Sequence, residues 1–221
     1  MRLTWFGHAA FLIETEGART ILDPYRSPDC GGYAPVDESA DFVVVSHDND
    51  KYHSHIGQIR SPFEVLKALE FPPNGVERGG LRFQAVPVFE TPEKLPGDEV
   101  TIIHFRAEGL HVVHLGDLGH ALSEAELAPL RGADIVLASV GGPPTIDLPL
   151  LRELLEAIGP KVVIPMHYLV PGKINLKIQP IETFLEMMSD WPVTRPGASS
   201  LTIGPHERLS GRSIVSLEPA R

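Results

Sequence analysis

The stretch VVVSHDNDKYHSH, Val43–His55, decides how the rest of this chain is read. A run of three valines gives way within two residues to a polar segment with three histidines and two aspartates. Short β-branched runs bounded by turn signals read as buried strands. Two later stretches repeat the pattern: HVVHLGDLGH (His111–His120) and VVIPMHY (Val162–Tyr168). In α/β proteins, ligands gather beyond the carboxyl ends of such strands. The three runs therefore predict that His47, Asp117 and His167 meet at one place. A His/Asp cluster of that kind points to metal chemistry.

The bulk properties narrow the setting. With 221 residues, the chain suffices for one large domain or two small ones and buries about 70% of its unfolded surface without staples. A single cysteine, Cys30, excludes an intramolecular disulfide and fits a reducing cytoplasm. The start, MRLTWFGHAAFLIETEG, lacks a charged region followed by a long apolar core, so it reads as two strands rather than a signal peptide. No apolar run approaches the roughly 20 residues of a membrane span. A net charge of −10 argues against a broad nucleic-acid-binding face. The 21 prolines and 20 glycines predict tight turns and short elements.

Strands are predicted at Leu3–Phe6, Phe11–Thr15, Thr20–Leu22, Phe42–Ser46, Leu81–Phe89, Val100–Phe105, Leu110–Leu115, Asp134–Ala138, Val162–Pro165, Leu201–Ile203 and Ser213–Leu217. Ser123 and Glu126 form a capping box for a short helix. Asp147 caps a second helix with Leu151, Leu154, Leu155 and Ile158 on one stripe, stopped by Gly159-Pro160. A third helix covers Ile181–Met188. Ser61–Leu69 fits either a capped helix or a strand. With no linker or repeat in view, one α/β domain spanning residues 1–221 with a sheet-on-sheet core is expected.

The motifs GHAAFLIE (Gly7–Glu14), ILDPY (Ile21–Tyr25), VVVSH, HLGDLGH (His114–His120) and IPMHY (Ile164–Tyr168) fall in one order along the chain. In that order they resemble the metallo-β-lactamase superfamily, and most nearly its small UlaG-like metal-dependent hydrolases. The resemblance implies a four-layer αββα sandwich with a metal site at one edge of the two sheets. It also exposes departures. Where the family has H-x-H-x-D-H, this chain has His47-Asp48-Asn49-Asp50-Lys51-Tyr52, so Asn49, Lys51 and Tyr52 stand at ligand positions. Glu90 stands where the next His belongs, while Asp117 matches the bridging Asp and His167 the final His. Three of the seven implied ligand positions are kept, with Glu90 as a fourth. Asp23 and His8 match positions behind the ligands, where a carboxylate orients an imidazole. Asp23 also reads as an Asp-Pro turn.

A two-metal hydrolase binds its ions about 3.5–4 Å apart across a bridging hydroxide and needs around seven N/O ligands, which the family positions here do not supply. An ammonium at Lys51 would also repel a second cation. One ion remains feasible, held by His47, Asp117, His167 and Glu90, with Zn²⁺ or Mn²⁺ as the metal. His53 and His55 read as surface-loop residues unless the loop is shifted, which would make His53 a replacement ligand. Glu90 could instead pair with Lys51. His114 reads as a satisfied core histidine, and His120 as either that or a cleft residue.

Two readings follow from different classes. The first is a cytoplasmic metal-dependent hydrolase in which a metal-bound hydroxide attacks an ester, lactone or phosphodiester of a small, anionic substrate. Asp117 would align the nucleophile, and Lys51 or Tyr52 would steady the oxyanion. The second is a catalytically degenerate relative without metal that binds a small anion or a protein partner. Nucleic-acid processing is a weaker third. Ile174–Ile178 and Trp191–Val193 are candidates for a cleft rim or a contact in a homo-oligomer.

Overall fold

Strands β1 (Arg2–Gly7) and β2 (Ala10–Glu14) are apolar on both faces. Leu3, Trp5, Phe11 and Ile13 point into one apolar cluster, and Phe6, Ala10 and Leu12 into another. That alternation is the period of a strand, and burial on both sides marks it as the middle of a layered structure. The computed structural model describes residues 1–174, 176–204 and 209–221. Asn175 and His206 lie outside the described residues.

Strands β3 (Arg19–Leu22), β4 (Phe42–Val45) and β5 (Glu64–Lys67) extend the first sheet, with β13 (Ser200–Thr202) on its far edge, in the order β13-β1-β2-β3-β4-β5. The second sheet holds β6 (Val76–Arg78), β7 (Leu81–Phe89), β8 (Glu99–Ala107), β9 (Leu110–His114), β10 (Ile135–Ser139), β11 (Val162–Met166), β12 (Val193–Thr194) and β14 (Ser213–Val215). Its order is β12-β14-β11-β10-β9-β8-β7-β6. Strands β9, β10, β11, β14 and β12 run parallel, as do β3, β4 and β5. The larger apolar cluster fills the space between the sheets, where Leu3, Trp5, Val44 and Leu66 meet Phe83, Phe105, Val112 and Leu137.

The helices are α1 (Glu124–Leu127), α2 (Leu148–Ile158) and α3 (Ile181–Met187). Asp147 caps α2 by accepting from the Leu150 N–H at 3.0 Å. Gly159, at φ 70°, ends it in the left-handed conformation. The buried stripe Leu151, Leu154, Leu155 and Ile158 joins the same cluster as the eight-stranded sheet, as do Ile181 and Phe184 of α3. The outer face of the six-stranded sheet is covered differently. Tyr25, Cys30, Tyr33, Val36 and Ala40 close over it from a loop, not from a helix. Pro24, Pro28, Pro35 and the pair Gly31-Gly32 make that segment a poor helix. The αββα sandwich therefore has loop in one of its outer layers.

Within Ser61–Leu69, Glu64–Lys67 forms strand β5, paired parallel to β4 with Val43 opposite Val65 and Val44 opposite Leu66, and a single 3₁₀ turn, Ala68–Glu70, follows it. Pairing and the burial of Leu66 override the helix-start pattern. The edge strands β6 and β12 are too short for periodicity to find. Ile174, Ile178 and Trp191 are buried within the chain, so of the residues read as a rim or subunit contact they are not free. No described helix is long and apolar enough to cross a membrane.

Candidate metal centre

Strands β1, β3 and β4 point the same way, because β2 is antiparallel to both β1 and β3, and β4 is parallel to β3. Their carboxyl ends deliver His8, Asp23 and His47 to one edge. From the facing sheet, β9 and β11 deliver Asp117 and His167. Three of the five non-glycine residues with positive φ among the described residues stand here: His8 (50°), Asp23 (42°) and His167 (50°). Such conformations cost of order 1–3 kcal/mol each and collect at functional sites. The His8 carbonyl accepts from the His167 N–H at 3.0 Å and from Trp5 Nε1 at 3.0 Å, which ties the two sheet edges together.

The loop after His47 turns on Asn49. Its carbonyl accepts from the N–H groups of Tyr52, His53 and Ser54 at 3.1, 2.8 and 3.0 Å. Its own N–H donates to Ser54 Oγ at 3.0 Å. The loop is thereby drawn back over the strand ends, and His53 enters the protein with no exposed surface. His55 stays outside and pairs with Asp50 at 2.9 Å.

His53 lies at the centre. Its Nδ1 is 3.1 Å from Asp23 Oδ2, and its Nε2 is 2.8 Å from Asp117 Oδ2, out of line for a hydrogen bond. His167 Nε2 is 3.6 Å from Asp117 Oδ1. The His8 ring centroid is 4.3 Å from that of His167 and 5.0 Å from that of His53, and His47 is 4.5 Å from His53. One donor atom each from His8, His53 and His167 falls within 4.8 Å of the others, and the same holds for His47, His53 and Asp117. Six buried atoms of this cluster have no hydrogen-bond partner among the described residues: both ring nitrogens of His8, His47 Nε2, His53 Nε2, Asp117 Oδ1 and His167 Nδ1. Unpartnered buried polar atoms cost about 1–3 kcal/mol each. Two overlapping groups of three donor atoms that share His53 fit a divalent ion.

The electrostatics agree with that fit. Burial, then the neighbouring imidazoles, hold His8 well below its usual pKa and His47 down at about 4. Burial also lowers His167. These rings are therefore neutral and available as ligands. For His53, burial acts downward but the Asp117 and Asp23 carboxylates outweigh it and lift the ring to about 10. Burial pushes Asp117 upward, yet His53 and His167 hold it well below the carboxylate range. Without an ion, one imidazolium serves as the counter-charge for two buried carboxylates.

The expected site residues separate in space. His47, Asp117 and His167 come together, with His53 among them. Glu90, half-buried at the end of β7, falls outside both donor groups. Burial and then the Asp117 charge raise its pKa. It is held nearby because Gly119 meets it backbone to backbone: a Cβ on Gly119 would stand 1.6 Å from the Glu90 carbonyl oxygen. Glu90 does not pair with Lys51. Lys51 is exposed at the loop tip with its ammonium 4.8 Å from the Tyr52 ring centroid. It is held out there because its carbonyl accepts from the Arg26 N–H, so the expected repulsion of a cation loses its basis. Tyr52 is half-buried, its ring 5.3 Å from that of His8. His114 is satisfied in the core, with Nε2 2.9 Å from the Ala9 carbonyl and Nδ1 accepting from Gly116. His120 accepts from the Phe89 N–H and donates to the Ala121 carbonyl, so both nitrogens are occupied. The sequence reading missed His8 as a member of the cluster itself. Its signal was a His after Gly7 at a hairpin turn, which periodicity cannot distinguish from a turn residue.

Two sheets packed face to face, with a His/Asp cluster where their strand ends meet, define a fold of the metallo-β-lactamase type. A profile described as "Beta-lactamase superfamily domain" matches residues 2–167, and the chain belongs to that superfamily. A UPF0173 metal-dependent hydrolase of Carboxydothermus hydrogenoformans is 29% identical over 196 residues, covering 76% of this chain and 84% of the relative. One from Opitutus terrae is 29% identical over 203 residues, covering 80% and 88%. The crystal structure of a candidate Zn-dependent hydrolase of the metallo-β-lactamase superfamily from Thermotoga maritima superimposes with a TM-score of 0.76. It is 26% identical and covers 98% of this chain and 97% of that one.

Proposed function

We propose that this chain is a metal-dependent hydrolase that works with one divalent ion. The observation that carries the reading is the pair of buried donor groups that share His53, one atom each from His8, His53 and His167 and from His47, His53 and Asp117, with ring and carboxylate atoms among them left unpartnered among the described residues. The count of one ion rests on His53. Its Nδ1 is taken by Asp23, so its Nε2 can serve one ion, and both donor groups require that atom. His8, His53 and His167, with Asp117 beside them, would hold the ion, and His47 would complete the opposite wall. A donor set dominated by imidazole favours zinc over manganese. The ion would supply Lewis-acid activation of water near neutral pH.

The chain's own groups supply the rest. Asp23 fixes the His53 ring through Nδ1, the arrangement that keeps a ligating imidazole in one tautomer and orientation. Asp117 offers a buried carboxylate oxygen to hold and orient the attacking water. Tyr52, beside His8, is the group placed to donate to an oxyanion. Lys51, turned to solvent, is given no contact with the reacting atoms. In ester or lactone hydrolysis the water oxygen bonds to the acyl carbon, the carbon–oxygen bond breaks, and the alcohol leaves with the proton. The likeness to the UPF0173 metal-dependent hydrolases supports this class of reaction. The buried, unpaired thiol of Cys30 supports a cytoplasmic setting.

Elemental mass spectrometry of the purified protein tests the reading. About one zinc or manganese per chain, lost in Asp117→Ala and His167→Ala, is expected, with hydrolysis of model esters that a chelator abolishes. No ion after reconstitution with either metal would sink it in favour of a degenerate ligand-binding relative.

A further inference from the structure

A groove of about 410 Å³ runs along the outer side of the β4–β5 pair and ends at His47. That volume lies in the range of small-molecule sites. Its walls are Val45 and Val65 from the strands, Ile56 from the loop beyond His53, and Leu69 from the turn after β5. Ile56 and Leu69 are 40% and 43% exposed, two of the four large apolar side chains left open to solvent among the described residues. They stand on this one groove, and exposed apolar side chains gathered at one place mark binding sites. His47 is shared: one side lines the groove, and its buried Nε2 faces His53 and Asp117. The groove therefore abuts the cluster at His47.

Its charges select against an anion. Asp48, Asp50 and Glu70 stand on its rim against one cation, Lys67, which itself lies 3.9 Å from Glu70. A phosphodiester or nucleic acid would meet more negative than positive charge here. We infer that this groove takes an uncharged aliphatic arm of the substrate, which makes that substrate a neutral carboxylic ester or lactone with a medium-length chain. The inference rests on the hydrolytic reading of the cluster and departs from the expectation of an anionic substrate.

The test has two arms. With the zinc-loaded protein, kcat/KM for p-nitrophenyl esters should rise about tenfold or more from acetate to octanoate, with bis(p-nitrophenyl) phosphate a poorer substrate than either. In Leu69→Asp and Ile56→Ser the rise should flatten while ion content stays the same. Both side chains are part exposed, so neither change threatens the fold. In the second arm, the neutral dye N-phenyl-1-naphthylamine is titrated onto metal-free protein, and Leu69→Asp should weaken its binding about tenfold. A flat chain-length profile, a preference for the phosphodiester, or dye binding indifferent to Leu69→Asp would overturn the inference. Dye binding lost in Leu69→Asp with no ester or diester hydrolysed would overturn the hydrolytic reading and the substrate assignment with it, leaving the groove as an apolar-ligand site.

Discussion

Ser46 Oγ lies 2.7 Å from Asp23 Oδ2 and 3.0 Å from His47 Nδ1. A hydroxyl has one proton to give, and the buried carboxylate is the stronger acceptor. Ser46 therefore donates to Asp23 and accepts from His47, which places the His47 proton on Nδ1 and leaves a lone pair on Nε2. Asp23 thus sets the tautomer of two imidazoles: His53 directly and His47 through Ser46. Its Oδ1 is engaged as well, by the Ser46 N–H at 2.7 Å. Ser46→Ala should weaken ion binding about 10-fold and lower the melting temperature of the metal-free protein by several degrees, since it leaves the buried His47 Nδ1–H unpaired. Competition against a chromophoric chelator measures it, and an unchanged affinity would remove Ser46 from the site.

His8 is the second test. Among the described residues nothing satisfies either ring nitrogen, although its backbone is held at both sheet edges. A residue that only filled space there would not be a histidine, because an apolar ring would avoid the cost of two buried, unpaired nitrogens. Asn tolerates the positive φ at this position. In His8→Asn, the rise in melting temperature that Zn²⁺ gives the parent protein should be lost or strongly reduced. The metal-free melting temperature should move by a few degrees at most. Retention of the full zinc-induced shift would show that His8 is not a ligand.

Asn49 shows why part of the site was legible in the sequence and part was not. The strand ends carried their own signal: β4, β9 and β11 are apolar runs, and His47, Asp117 and His167 follow from where such runs stop. His53 did not, because its position depends on a loop path set by three hydrogen bonds to one carbonyl, and no pattern of residue types encodes that. The residue standing at a family ligand position has become the residue that folds the loop and brings a different histidine inward. The loop that replaces a helix over the first sheet was readable from Pro and Gly content; the edge strands β6 and β12, too short for periodicity, were not.

The loop argument makes its own prediction. Asn49→Ala keeps the backbone carbonyl but removes the side-chain oxygen that accepts from the Tyr52 N–H at 3.3 Å. Asn49→Pro removes the N–H given to Ser54 Oγ and restrains the turn itself. Ion affinity should fall modestly in the first variant and almost wholly in the second, as read by calorimetric titration with Zn²⁺. Equal affinity in Asn49→Pro and the parent protein would mean that His53 does not hold the ion.

The last prediction concerns stability away from the cluster. His104 on β8 and His111 on β9 face each other, with Nδ1 of one 3.2 Å from Nε2 of the other. Burial, then the charge of its partner and of Arg106, lowers His104 to about 4, and burial lowers His111 as well. Asp134 pulls His111 the other way, and Lys161 occupies that carboxylate at 2.7 Å. A group depressed in the folded state contributes stability that is whole above its unfolded pKa of roughly 6.5 and is lost as pH falls toward the folded value. Stability should therefore decline between about pH 6.5 and pH 4. Between pH 7 and pH 5 the His104 share is about 1–2 kcal/mol. Urea unfolding of His104→Gln should show a smaller loss over that interval than the parent by this amount, since the cluster histidines contribute equally to both proteins. An identical loss in the two would mean that His104 is solvated and titrates normally in the folded protein.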